Sequence, residues 1–437
     1  MAKQSTTSGI PLNPLAFIKK YDELWNRLLF LLGALIVYRL GSHIPVPGMN
    51  PIELANFFQR NSNTFLGMFN LFSGGALERM SIMALGIMPY ISASIVVQMM
   101  STIVPSLEAL KKEGESGRRQ LSKYTRQGAL ALAFVQAVGM STGLLAGGLT
   151  VTTGLGFYIP AVTSLVAGAM FLMWLGEQIT ERGIGNGISI LILASILAGA
   201  PGMIGTALSQ DTNLIVMFLF AVLALAVIAG IVYIERAQRK VPVNYAQKQQ
   251  QGRKIYAQQQ SHLPLKLNMA GVIPAIFASS LLLLPASLGQ WTSGNANPTT
   301  AQEILQNISL VLHPGEPLYL LLFGVMIIFF CYFYTALMFN PNEVAENLKR
   351  SGAYIPGIRP GQQTKRYLDF VLNRLTFIGA IYMTVICVLP MTINPAFSSG
   401  ASLLIMVVVL MDFIAQIQAH LMTHQYHDQT LIKSSTH

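Results

Sequence analysis

Long stretches without any charged side chain recur along the 437 residues of this chain, separated by short polar segments. A membrane-spanning helix needs about 20 mostly apolar residues. The uncharged stretches 127–176 and 375–411 are too long for one helix, and we expect a Gly- and Thr-rich connector near 142–156 and a turn at 394–400 to divide them. A first helix near 24–43 and further uncharged intervals bring the predicted total to ten spans: 80–107, 183–210, 212–234, 267–302 and 317–342.

The positive charges predict the orientation of these spans, because Lys and Arg concentrate in cytoplasmic loops. With a cytoplasmic N-terminus, 25 of the 28 basic residues lie on the cytoplasmic side. Only Arg39, Arg60 and Arg79 then lie outside. The opposite orientation would invert this ratio, so the segment 1–23 and the tail 421–437 are both predicted to be cytoplasmic.

Composition agrees with a membrane protein: 52% of the residues are hydrophobic and only 11% are charged, against about 25% charged in a soluble domain. The net charge of +10 then reflects mostly topology and is a weak reason to infer nucleic-acid binding. Cys331 and Cys387 lie in apolar stretches and form no disulfide or metal pattern. The sequence contains no phosphate-binding GxxxxGK[ST] loop and no HExxH zinc helix. We therefore expect no enzyme, no catalytic residue, no metal and no cofactor.

Five spans precede the polar segment near 206–212 and five follow it, so the halves 24–205 and 213–420 must have opposite orientations. An odd number of spans in each half makes any structural repeat an inverted one. The predicted fold is an all-α integral membrane protein, with ten transmembrane helices in two inverted five-helix halves around a central pore.

One segment, 62–75, is apolar but too short to span the membrane, and it ends in Gly74–Gly75. It is either an external loop with an interfacial turn or a short half-helix folded back into a cavity, since irregular backbone at membrane depth needs protein or water around it. The sequence leaves both interpretations open.

Two cytoplasmic segments, 235–268 and 341–370, are also unusual. The first carries basic clusters at 236–240 and 253–254, and it either sets topology and meets anionic lipid or docks an acidic partner. In the second, Arg359 lies between Ile358 and Pro360 in a restricted backbone, which favours a specific contact. Asp412 lies within an apolar run, where an acid is a functional candidate by default, although it could instead pair with an arginine or a helix terminus.

Several long motifs carry a family resemblance. They are NLFSGGALERMSIMALGIMPYISASIVVQ at 70–98, KKEGESGRRQLSKYTR at 111–126, WLGEQITERGIGNGISI at 174–190, LPLKLNMAGVIPAIFASS at 263–280 and GAYIPGIRPG at 352–361. These motifs closely resemble the SecY/Sec61-alpha family of protein-conducting channels. The resemblance extends from about Leu28 to Gln418.

This resemblance implies an hourglass pore between the two halves, with a ring of isoleucines at its constriction. The ring residues on the second, fifth, seventh and tenth spans are Ile87, Ile91, Ile192, Ile196, Ile276 and Ile405. The segment 62–75 would be the plug that fills the outer funnel of the resting channel, with its centre at Thr64, Phe65, Leu66, Gly67, Met68, Phe69, Asn70, Leu71 and Phe72. A lateral gate between spans 2–3 and 7–8 would open toward lipid, and we expect Pro89 and Pro274 to ease bending there.

The resemblance also implies partners. The translating ribosome or the motor ATPase SecA would dock on Arg239, Lys240, Arg253, Lys254 and Arg359. SecE and SecG would complete a heterotrimer, and SecD, SecF and YidC are further candidate partners beside nascent secretory and membrane proteins and the membrane lipids. The expected location is the bacterial inner membrane. The chain would translocate unfolded polypeptides and release signal sequences and transmembrane segments laterally.

Two other functions deserve comparison with the channel. A secondary transporter carries polar ligands near the middle of the membrane, whereas this chain has isoleucines at its candidate constriction and few intramembrane acids. An intramembrane protease needs a nucleophile and a base within the bilayer, and no histidine occupies a suitable mid-span position. The sequence therefore favours the channel.

Overall fold

The chain forms a helical bundle. Its computed structural model describes residues 22–60, 67, 70, 73–152, 154–209, 214–245, 250–251, 254–255, 260–292, 307, 312, 316–393 and 400–434. The ten long helices within these ranges are α1 (Asp22–Gly41), α3 (Met88–Ile103), α5 (Glu115–Ala146), α6 (Leu155–Arg182), α7 (Gly187–Ser209), α8 (Leu214–Arg236), α9 (Ile273–Thr292), α10 (Pro317–Met338), α12 (Gln362–Ile393) and α13 (Gly400–Ser434). The shorter ones are α2 (Pro51–Arg60), α4 (Pro105–Lys112) and α11 (Pro341–Arg350).

Six of the described helices are long and apolar enough to cross a membrane, and there are seven if the bent pair of α3 and α4 counts as one span. The two helices of that pair meet at 97°, and α7 and α9 add shorter apolar stretches. The ten long helices match the ten spans that the sequence predicts. The all-α membrane fold is therefore confirmed.

The two halves repeat one pattern of packing. In the first half, α3 packs on α5, α5 on α6 and α6 on α7; in the second, α9 packs on α10, α10 on α12 and α12 on α13. Between the halves, α9 packs against α3 and α5, while α13 packs against α7. One contiguous buried apolar cluster runs through both halves. The core thus lies along the surface where the halves meet as well as within each half.

The two segments that are predicted to be cytoplasmic, 235–268 and 341–370, are more ordered than the sequence indicates. Strand β1 (Gln238–Tyr245) pairs antiparallel with β4 (Gln260–Lys266) over seven residue pairs, and its far end pairs with β5 (Ala353–Tyr354). In the segment between β1 and β4, two short strands, β2 (Gln250–Gln251) and β3 (Lys254–Ile255), pair with each other. The sheet order β4-β1-β5 therefore joins the segments 235–268 and 341–370 into one unit.

A second apolar cluster fastens this sheet to the bundle. Val241 and Leu265 from the sheet pack with Ile355 and with leucines of α12. Because side chains alternate across a strand, Val241 and Val243 are buried on one face while Lys240 and Pro242 are exposed on the other. The sheet is thus anchored to α12 rather than suspended in solvent.

The prediction that Pro89 and Pro274 ease bending is wrong, because each lies in the first turn of its helix. Pro89 is the second residue of α3, and Pro274 is the second residue of α9. Amides of the first turn have no carbonyl partner within the helix, so a proline there removes no hydrogen bond. Proline interrupts the interior of α9 at Pro285 instead.

One close approach depends on a glycine in α6. A Cβ atom at Gly168 would overlap the backbone carbonyl oxygen of Ile82, in the turns that precede α3. The missing side chain therefore lets α6 and this segment pack backbone to backbone. At Gly156, near the start of the same helix, a Cβ atom would meet nothing within 4 Å.

We therefore predict that Gly168→Ala destabilises the protein by about 1–3 kcal/mol, because overpacking forces the backbone to move. Gly156→Ala is the matched control and should leave stability unchanged or slightly raised. Thermal unfolding of the purified protein in detergent measures both. Equal midpoints for the two variants would contradict the predicted contact.

Candidate functional site

The six isoleucines that the sequence predicts at a pore constriction are all buried. None exposes more than 8% of its surface, and Ile405 exposes none. All six belong to the same contiguous apolar cluster. Ile87 immediately precedes α3, and the amide of Ile91 donates to its carbonyl at 3.1 Å. The two side chains therefore project from the same side of the first turn.

The helices that carry these isoleucines contact one another in sequence across the bundle. Ile276 lies in the first turn of α9, which packs against α3 and α13. Ile405 lies near the start of α13, which packs against α7 and its pair Ile192 and Ile196. The chain of contacts α3–α9–α13–α7 includes both junctions between the halves. The contiguous apolar cluster that contains all six isoleucines thus runs through the surface where the two halves meet.

Near one end of this surface, a buried hydrogen-bond network holds the end of the 62–75 segment. The hydroxyl of Tyr38 on α1 lies 2.6 Å from Ser195 Oγ on α7 and 3.2 Å from the carbonyl oxygen of Ser73. The Tyr38 hydroxyl donates its hydrogen to the Ser73 carbonyl, and Ser195 Oγ also donates to the Leu191 carbonyl at 2.8 Å; either oxygen of the Tyr38–Ser195 pair can supply the hydrogen between them. We call this network of Tyr38, Ser73 and Ser195 the plug anchor.

Two further contacts strengthen the plug anchor. Arg39 Nη1 donates to the carbonyl oxygen of Gly74 at 3.3 Å. Gly74 has φ +67°, and a Cβ atom there would press within 3.0 Å of both Ser195 Cα and the Tyr38 hydroxyl. Glycine is favoured at such a left-handed, crowded position. The sequence shows the Gly–Gly pair, but nothing in it indicates that Tyr38 and Ser195 are its partners.

Most of the predicted plug core lies outside the described residues: Thr64, Phe65, Leu66, Met68, Phe69, Leu71 and Phe72. Gly67 and Asn70 are described. Asn70 is well held, since its Oδ1 accepts from the Glu78 amide at 3.0 Å and its Nδ2 donates to Glu78 Oε2 at 3.1 Å. The segment is therefore tied to the turns that lead into α3.

Of the predicted docking residues, some lie within the described residues and one lies outside them. Arg239 and Lys240 are exposed at the start of β1, and Arg359 is exposed after β5. The carbonyl oxygen of Arg359 accepts a hydrogen bond from Thr364 Oγ1 at 3.1 Å, which holds its backbone. Lys254 belongs to β3, and Arg253 lies outside the described residues. The sheet brings the two loops that carry Arg239 and Arg359 together.

A polar cavity of about 230 Å³ lies between α7, α8 and α13. Asn268 Nδ2 donates to Glu235 Oε1 at 2.7 Å, while Lys266 Nζ lies 4.0 Å from Asp412 Oδ1. Asp412 thus faces a lysine, whereas the partner expected from the sequence is an arginine or a helix terminus. Among the residues that the structure describes, no group of His, Cys, Asp and Glu could hold a metal ion.

Comparison with known proteins identifies the family. The SecY family model matches residues 81–414. A protein translocase subunit SecY of Pseudomonas aeruginosa is 58% identical over 444 residues, covering all of this chain and 98% of that protein. The chain belongs to the SecY family.

Solved SecY-family structures share the fold. A structure titled as showing that the plug domain of SecY stabilises the closed translocation channel aligns with a TM-score of 0.61 at 16% identity, covering 92% of this chain and 93% of that one. Sec61 in the canine ribosome-channel complex aligns with a TM-score of 0.62 at 14% identity, with the same coverage. At such low identity these matches establish the ten-helix SecY fold, which agrees with the sequence prediction.

We predict that Tyr38→Phe loosens the plug anchor, because the Ser73 carbonyl loses its buried donor. A neutral hydrogen bond contributes about 1 kcal/mol, so local opening of residues 73–78 should become about fivefold more frequent. Hydrogen–deuterium exchange of that peptide measures the change. Tyr233→Phe on the exposed face of α8 is the control and should alter nothing. Equal exchange in both variants would show that the hydroxyl does not hold the segment.

Proposed function

We propose that this chain is the central subunit of a protein-conducting channel, which moves unfolded polypeptides across the membrane and releases apolar segments into lipid. The observation that carries this proposal is the burial of all six isoleucines in one apolar cluster that runs through both halves, in a chain that belongs to the SecY family. Its relatives are named as protein translocase subunits, so the chain acts as a channel component and not as an enzyme.

Aliphatic side chains suit a constriction that must pass any sequence. Isoleucine offers no hydrogen bond that would retain a particular side chain of the passing polypeptide. When no chain is present, a narrow apolar constriction excludes water and ions by dewetting. In this proposal Ile87, Ile91, Ile192, Ile196, Ile276 and Ile405 form that constriction, and their burial in the resting state supports a closed pore.

The segment 62–75 would act as the plug. The plug anchor supports this role, because it fixes Ser73 and Gly74, at the end of the segment, to α1. A hydrogen-bonded anchor at one end would allow the rest of the segment to move. A related SecY is described as having a plug domain that stabilises the closed state of its channel.

The lateral gate would lie where α9 meets α3 and α5. The described cross-contact there is largely apolar, with a weak bond from Ser280 Oγ to Met88 Sδ at 3.5 Å. Separation therefore breaks little hydrogen bonding, and lipid can replace the lost apolar contact. At a helix centre each Leu or Ile favours insertion by about 0.3–0.6 kcal/mol and each Lys or Asp opposes it by about 2.5–3.5, so exit to lipid is decided by partitioning.

The cytoplasmic sheet would receive the partner that drives transport, either a translating ribosome or SecA. Because β1 and β5 pair, Arg239, Lys240 and Arg359 would present their positive charges from one unit. Arg253 and Lys254 would add to this charge. The related Sec61 was solved in a ribosome complex. SecE and SecG would complete the complex in the bacterial inner membrane, both termini would be cytoplasmic, and SecD, SecF and YidC would act with it.

We predict that Ile196→Asn makes the resting channel leak ions, because a polar side chain at the constriction retains water. Ile196 is only 3% exposed, whereas Ile378 on α12 is 51% exposed and faces the surroundings of the bundle. Ile378→Asn is therefore the matched control. Conductance of the purified complex in planar bilayers measures the leak. Tight channels in both variants, with unchanged elution on size exclusion, would count against the constriction.

We also predict that Arg359→Gln weakens ribosome binding through the loss of a phosphate contact. For each such contact removed, the slope of log affinity against log salt should fall by about one. Arg119→Gln is the control, because Arg119 is 82% exposed on α5 and pairs with Glu115 within its own helix. Binding of ribosomes to reconstituted channels at several salt concentrations measures the slope. An unchanged slope for Arg359→Gln would refute the phosphate contact.

A further inference from the structure

Two of the three basic residues predicted outside the membrane converge at one place. Arg79 Nη1 lies 2.8 Å from His43 Nε2, and His43 Nδ1 lies 2.7 Å from the carbonyl oxygen of Arg39. The carbonyl can only accept, so Nδ1 is the donor and Nε2 accepts from the arginine. His43 thus fixes the position of the Arg79 guanidinium. We call Arg39, His43 and Arg79 the basic cluster.

The positive charge of the basic cluster has no carboxylate partner within the described residues. No ion pair there includes Arg39 or Arg79. The nearest acid in sequence, Glu78, is held by Asn70 through two hydrogen bonds. The Arg79 guanidinium is held on the His43 ring, one helical turn from Arg39, so two positive charges lie near the end of α1 without an ion pair to a carboxylate in the described part of the chain. Such an arrangement suits an anionic ligand.

An apolar groove leads along α1 to this cluster. Leu32, Ile36 and Leu40 form one stripe at helical spacing, and each is more than half exposed. Leu35, Arg39 and His43 form the neighbouring stripe, and together the two enclose a groove of about 490 Å³. Only 22% of the membrane-length window of α1 is buried, against 33–44% in the other five long spans. The groove therefore faces the surroundings of the bundle.

The length of α1 indicates how deep in the membrane the groove and the basic cluster lie. Its 20 residues rise about 30 Å, which is the thickness of the hydrocarbon core. The leucine and isoleucine stripe therefore lies beside acyl chains, while the basic cluster at the helix end lies at headgroup level. A ligand that fits both parts has a long apolar chain and an anionic head.

We propose that the groove and the basic cluster bind an anionic phospholipid, with its phosphate on Arg79 and Arg39 and an acyl chain along Leu32, Ile36 and Leu40. The proposal rests on the proposed topology for one point only, the assignment of the site to the outer leaflet. Because Arg39 also donates to Gly74, the bound phosphate adjoins the plug anchor.

The test uses the purified complex with its partner subunits in nanodiscs that contain a trace of photo-reactive phosphatidylglycerol. We expect the probe to label the peptide 32–43 several-fold more than the matching phosphatidylcholine probe does. Arg79→Gln should reduce labelling of this peptide by about fivefold, the effect of one basic residue at an anionic membrane surface. Arg79→Lys keeps the charge and should retain most of the labelling.

Two controls make the result specific. Arg60→Gln removes the third external positive charge and should leave labelling of 32–43 unchanged. Labelling of the exposed face of α12 around Ile378 and Ile381 reports folding and should not respond to any of these variants. The assay needs no translocating chain, so a failure of the proposed channel activity would not affect it.

Three results would overturn the proposal. Equal labelling by the two probes would mean that the groove accepts any lipid. Unchanged labelling in Arg79→Gln, with α12 labelled normally, would remove the cluster from recognition. Absence of label on 32–43 in the wild type would mean that another subunit covers the groove.

Discussion

The apolar contact between the two halves, made by α9 against α3 and α5 and by α13 against α7, is the constraint on which the rest of the structure depends. In a membrane, lipid solvates an apolar helix about as well as another helix does, so such a contact relies on close packing and not on the hydrophobic effect. A contact of this kind is compatible with the sealing and separation proposed for the channel.

Polar groups adjoin this apolar junction in two places. Tyr38, Ser73 and Ser195 form a buried network that joins α1, the end of the 62–75 segment and α7. Glu235, Asn268, Lys266 and Asp412 line a cavity elsewhere in the bundle. Ser195 lies between Ile192 and Ile196 in the sequence of α7, so the first network directly adjoins the aliphatic side chains.

Much of the fold could be predicted from the sequence. The thickness of the bilayer sets the length of each apolar span, and the positions of Lys and Arg set its orientation, and both are visible in short stretches of sequence. The pairing of the strands could not be predicted from the sequence. Strands β1 and β5 are separated by about a hundred residues along the chain, and the polar composition of 235–268 is typical of a solvated loop. The sequence does not indicate the contact between Tyr38 and Ser195. A single Tyr or Ser in an apolar helix usually makes its hydrogen bond to a nearby backbone carbonyl, so its presence does not predict a distant partner. The prediction that Pro89 and Pro274 ease bending is wrong because the sequence alone does not show whether a proline lies at the start of a helix or in its interior.

The most direct test of the central claim is site-specific crosslinking from the isoleucine surface to a stalled secretory chain. A photo-reactive residue at Ile87, Ile192 or Ile276 should crosslink the engaged chain, whereas one at Ile378 on the exposed face of α12 should not. Crosslinks confined to the three buried positions would establish a polypeptide path along the junction of the halves. Absence of crosslinks from all three, with the protein folded and the chain engaged, would contradict the account.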